Sequence, residues 1–158
     1  MISVKTAKEI EHMSRACRIS AEALRLAGEA VKPGDTTAHI DKIIYDFIVR
    51  HGARPNFLHL YGFPATACIS VNDTVIHGIP SRQQQIRPGD IVSIDTGCKI
   101  DGFNGDNACT YGCGKLDLEA QRLLDVTKES LHRGIEMARG GNRVGDISHA
   151  VQEYVEEN

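Results

Sequence analysis

Asp95 and Asp106 are the residues whose types and spacing point most directly to chemistry. They flank Asp101-Gly102, a dipeptide that favours a two-residue hairpin turn because both positions accept positive φ. Around such a turn Ile100 pairs with Phe103, so Asp106 falls opposite Gly97 on the face that also carries Asp95. The two carboxylates are then diagonal neighbours roughly 7 Å apart. That spacing is too wide for a shared proton and suits one metal ion or a bridged pair, with Gly97 and Gly105 leaving room. Hard carboxylate oxygens favour Mn, Fe, Co, Zn or Mg over copper. An acid directly after Ile91-Val-Ser-Ile94 is costly unless it is paired. Solvated charges on an outer sheet face would show the same pattern.

His77 follows the apolar run Thr74-Val-Ile76 and precedes a glycine, which places it at a strand end, exposed enough to act on a ligand. A lone histidine is as readily structural. Cys68, nine residues earlier, is a second candidate, as a nucleophile with His77 as its base. Cys109 and Cys113 are four apart, a spacing that suits no zinc knuckle. No phosphate-binding glycine loop, G-x-S-x-G elbow or HExxH occurs.

The elements that must position these groups alternate in character. Thr6 with Glu9 reads as a capping box, opening a helix whose apolar residues are Ile10, Met13, Cys17, Ala21, Leu24 and Ala27. Val31-Lys-Pro-Gly-Asp35 stops it, and Thr36 or Thr37 caps a second helix striped by Ile40, Ile43, Ile44, Phe47 and Ile48. Short β-type runs follow: 67–71, 74–76, 90–95 and 103–111. After Gly114, Leu118, Leu123, Val126, Leu131, Ile135 and Met137 mark a third helix, and Val144 to Glu157 a fourth. Helices are thus expected over 6–50, a sheet over 55–114 and helices over 117–157, as one domain. Pro33 to Ile40 with Ile44, Phe47 and Ile48 matches Gly140 to Ile147 with Val151, Tyr154 and Val155 at a fixed offset. The first copy leads into a sheet; the second stops at Asn158. A two-fold repeat would need a second sheet.

Bulk properties narrow the setting. The 158 residues carry 18 Lys and Arg against 21 Asp and Glu, a balance that offers no footprint for nucleic acid or an anionic membrane. Five irregularly spaced cysteines fit a reducing compartment. The N-terminus lacks the apolar core of a signal peptide, and no segment reaches membrane-spanning length. The expectation is a cytoplasmic protein.

Cys68-Ile-Ser-Val-Asn-Asp-Thr-Val-Ile-His-Gly-Ile-Pro80, Gly89-Asp-Ile-Val-Ser-Ile-Asp95 and Asp101-Gly-Phe-Asn-Gly-Asp106 together resemble type I methionine aminopeptidases. Val31-Lys-Pro-Gly34 and the opening Ile2-Ser-Val-Lys-Thr6 fit the same family. The resemblance implies an α+β chain: half of the pita-bread fold, an antiparallel sheet covered by helices on one side, with the second half-sheet absent. It implies removal of the initiator methionine from nascent polypeptides, using two divalent metal ions (Co, Mn, Fe, Zn or Ni). Asp95 would be a bidentate ligand of one metal and Asp106 would bridge both. His77 would contact the substrate amide, and Phe63 and Cys68 would line the methionine pocket. Leu60 stands where the family often has an aromatic residue. The family's remaining ligands, one histidine and two glutamates, come from the second half-sheet, which this chain lacks. The sequence is therefore expected to be an N-terminal portion with little activity alone. A homodimer sharing one site and a non-catalytic module that binds peptide N-termini are the alternatives. An uncovered half-sheet would present an apolar face and invite self-association.

Overall fold

Helix α1 (Ala7–Glu29) opens on the expected box: Thr6 Oγ1 accepts the Glu9 N–H at 3.3 Å while the Thr6 N–H donates to Glu9 Oε2 at 2.7 Å. The structure is a computed structural model, and it describes residues 3–158. Met1 and Ile2, including the first residue of the Ile2–Thr6 stretch, lie outside it. Helix α2 (Thr37–Arg50) is capped by Thr36 and ends at His51, followed by Gly52 at φ 73°. Ile40, Ile44 and Ile48 are fully buried, as their spacing predicts.

The face of α1 that is buried differs from the expected stripe. Ala16, Ile19, Ser20, Ala23, Leu24 and Ala27 are buried, whereas Ile10, Cys17 and Ala21 are exposed. Residue size decides this. A Cβ on Gly105 would come within 2.3 Å of the Ala16 backbone, so helix and sheet approach too closely for anything large. Ala16, Ser20, Ala23 and Ala27 form a row of small residues along the contact. The Ser20 hydroxyl donates to the Thr96 carbonyl at 2.8 Å across it.

The sheet is antiparallel and built on β3 (Ile91–Ile100). Along one side runs β4 (Phe103–Gly112); along the other lie β1 (Arg54–Pro55) and β2 (Ala67–Val71) in succession. The turn at Asp101 (φ 53°) and Gly102 (φ 86°) has both residues left-handed, and the register is the expected one: Ile100 opposite Phe103 and Gly97 opposite Asp106. Helices α1 and α2 pack on one face. The other bears Cys68, Ser70, Ser93, Asp95, Asp106, Ala108 and Thr110. Apart from Cys68 and Ala108 these side chains are polar.

Thr74–Ile76 does not form the expected strand. Asn72 turns the chain at φ 50°, and the Thr74 N–H closes onto the Val71 carbonyl at 3.1 Å, ending β2. Val75 and Ile76 are 84% and 65% exposed, so their apolar character reflects no burial among the described residues.

Contacts divide the chain into two compact units, Met1–Lys115 and Leu116–Asn158. The second is an antiparallel-type helix pair, α3 (Leu118–Met137) and α4 (Val144–Glu157). It closes on itself through Gly134, where an added Cβ would meet Val151 Cγ2 at 2.8 Å. Both helices match their expected extents. Among the described residues no helix is long and apolar enough to cross a membrane.

Candidate functional site

On the helix-free face, Asp95 stands between Cys68 of β2 and Ala108 of β4, and Asp106 stands beside Gly97. Both acids line one pocket of about 300 Å³ together with Phe57, Leu60, Tyr61, Phe63, Cys68 and His77. Its lining combines aromatic and aliphatic side chains with two carboxylates and an imidazole. A second cavity of about 310 Å³ shares Cys68, His77 and Asp95 and continues past them to Ser70, Ser93 and Thr110. All five residues singled out from the sequence, Phe63, Cys68, His77, Asp95 and Asp106, thus meet in one place.

The register makes the two acids diagonal neighbours, as expected. Burial first, then the neighbouring Asp106 carboxyl, push the Asp95 carboxyl up to about 6, with His77 opposing them. The two acids therefore act on one another electrostatically across the pocket. Gly105 also has another role than making space here. It lies on the opposite face, under α1. At Gly97 an added Cβ would meet the Asn56 side-chain amide at 3.0 Å, so the open space is beside the acids rather than above that glycine.

Cys68 is buried, and burial, followed by the charges of Asp95, Asp106 and Asp41, pushes its thiol up to about 11. A thiol held that high stays protonated at neutral pH, which disfavours Cys68 as a nucleophile. Cys68 serves as pocket wall. Behind it Asp41 of α2 accepts the N–H groups of Thr66 (2.9 Å) and Ala67 (2.8 Å), tying the start of β2 to the helix.

Phe57 and Tyr61 were not anticipated. They belong to an irregular stretch in which His59 (φ 68°) and Tyr61 (φ 49°) are left-handed without being glycine, beside Gly62 at φ 85°. One clue was available: of four Phe and four Tyr in the chain, three fall between 57 and 63.

The donor set fits a hard divalent cation. Asp95 and Asp106 are carboxylates on one sheet face, and both line the pocket. The set is also partial: among the described residues no three His, Cys, Asp or Glu side chains form a metal-holding group.

The sequence profile of metallopeptidase family M24 matches residues 11–158. Methionine aminopeptidase of Clostridium acetobutylicum is 47% identical over 99% of this chain and 62% of its own length. That of Clostridium perfringens is 49% identical over the whole chain and 63% of its own length. The crystal structure of methionine aminopeptidase from Rickettsia prowazekii superposes with a TM-score of 0.96 at 38% identity, covering 99% of this chain and 63% of that one. The chain thus spans a little over three-fifths of the length of the relatives it matches, and its fold is the expected half of the pita-bread architecture. It belongs to metallopeptidase family M24.

Proposed function

We propose that this chain supplies the methionine pocket and two of the metal ligands of a methionine aminopeptidase that acts on nascent polypeptides in the cytoplasm. One observation carries the reading: a single pocket joins an apolar wall (Phe57, Leu60, Phe63, Cys68) to a carboxylate pair, with His77 lining it too. An unbranched thioether side chain fits an aromatic wall well, since sulfur and ring edges attract one another. Asp95 and Asp106 hold the divalent metal, which when bound supplies Lewis-acid polarisation of the scissile carbonyl. His77 contacts the peptide amide from the segment beside β2. Leu60 replaces part of an aromatic wall with a smaller aliphatic one.

Two carboxylates leave most of a divalent ion's coordination to other groups. We assign those groups to the portion of the relatives' length that this chain does not span, so that the chain by itself has little or no activity. The names of the similar proteins and their greater length support this reading.

The test is complementation. Mixing the chain with a polypeptide corresponding to the remaining C-terminal portion of the Clostridium perfringens relative, in the presence of Mn²⁺, is expected to produce cleavage of a Met-Ala peptide. A mixture that assembles into a folded complex and binds Mn²⁺ but leaves the peptide intact would overturn the proposal.

A further inference from the structure

His77 is held in a left-handed backbone conformation (φ 57°), one that residues with a Cβ adopt seldom and only where their surroundings enforce it. The enforcement comes through its neighbour. The Gly78 carbonyl accepts the Ile69 N–H at 2.9 Å, and the Gly78 N–H donates to Ser70 Oγ at 3.0 Å. The approach is so close that a Cβ on Gly78 would lie 2.2 Å from the Ile69 carbonyl oxygen. Of the two bonds, the one to Ile69 is main chain and would form with any residue there. The one to Ser70 depends on a hydroxyl.

Ser70 is 4% exposed and sits on β2 two residues beyond Cys68, on the same sheet face, opposite Ser93. Its hydroxyl lines the cavity shared with His77 and Asp95. We propose that Ser70 is the positioning residue for His77: by taking the Gly78 N–H it pins the turn that presents the imidazole to the carboxylate pocket. Without that hydroxyl the Gly78 N–H loses its acceptor, and the turn keeps one bond instead of two. The strained His77 conformation then relaxes toward the extended region. The functional consequence rests on the reading of His77 as a peptide contact; the conformational statement does not.

Two NMR observables test it in the labelled, intact chain: the three-bond HN–Hα coupling of His77, and the exchange rate of the Gly78 amide. Ser70→Ala is expected to move the coupling toward the extended value and to speed Gly78 exchange roughly tenfold, the scale of one lost hydrogen bond. Amides of Ile94 and Cys109 in the β3–β4 ladder serve as references and stay unchanged. Ser70→Thr keeps the hydroxyl and is expected to restore both observables. If Ser70→Ala does not fold, Ser70→Cys, whose sulfur is a poor acceptor, must show the same two changes. An unchanged coupling and exchange rate in the variant that lacks the hydroxyl would overturn the proposal. If both move while the Met-Ala peptide is processed normally by the complemented chain, the positioning role stands and the assignment of His77 as a substrate contact falls.

Discussion

Helices α2 and α4 begin and end at matching positions of one repeat, each 14 residues long, yet their apolar faces meet different fates. Ile40, Ile44 and Ile48 of α2 are fully buried in the core that α1 and α2 build with the sheet. Their counterparts Ile147 and Val151 are half-buried, and Val155 is 46% exposed. The same holds for the longer helices. On α1 the small-residue row is covered by β3 and β4, while on α3 Leu123, Leu131 and Ile135 are 55–58% exposed and Leu118 91%. An amphipathic pattern states that a helix requires a partner; it does not supply one. Within its own unit the first pair packs on a sheet, and the second pair packs helix on helix.

Paired substitutions can break this contrast. Deleting the same side chain at matching repeat positions should give the largest difference. Ile40→Ala is expected to cost about 2–5 kcal/mol in urea unfolding, the range for a buried aliphatic residue, and Ile147→Ala less than half of that. Equal losses would mean that the second pair is as well packed as the first. Glycine substitutions come next. Gly105→Ala drives a methyl into the Ala16 backbone and should cost about 1–3 kcal/mol or more. Gly134→Ala meets side-chain atoms rather than close backbone, Val151 Cγ2 at 2.8 Å and Ile147 Cγ2 at 3.5 Å, and a helix-propensity gain of about 1 kcal/mol offsets that contact. Its expected net effect on the unfolding midpoint is near zero.

Two smaller effects probe the first unit alone. Thr96 Oγ1 is buried without a hydrogen-bond partner, so Thr96→Val should raise stability by about 0.5–1 kcal/mol, against the usual direction for a core change. Asp41 is the smallest case and depends on pH. Burial raises its carboxyl above the ordinary range, more than the Thr66 and Ala67 N–H groups lower it. A raised folded-state value means the unfolded chain ionises first, so ionisation costs stability as pH climbs through that window. Asp41→Asn retains an oxygen acceptor for both N–H groups. It should therefore be slightly more stable than the parent at neutral pH, with the gain vanishing below the carboxylate range. A gain that grows on acidification would reverse the sign and refute the assignment.

Local chemistry made part of this legible in advance. The Asp101-Gly102 turn dictated the β3–β4 register, the Thr6–Glu9 box placed the start of α1, and the repeat placed α2 and α4 together. What escaped depended on contacts distant in sequence. The buried face of α1 is chosen by the closeness of Gly105, eighty-odd residues away, which rewards small residues over apolar ones. Thr74–Ile76 has strand-like composition, but the left-handed Asn72 takes it off the ladder. The aromatic wall at 57–63 includes left-handed His59 and Tyr61, a conformation that their residue types do not announce.

The assignment of the carboxylates as metal ligands is tested most directly by isothermal titration of Mn²⁺ into the chain and into Asp106→Asn. The account predicts weak but measurable binding to the parent, since two carboxylates supply only part of a coordination shell, and its loss in the variant. Binding of equal strength in both proteins would contradict it.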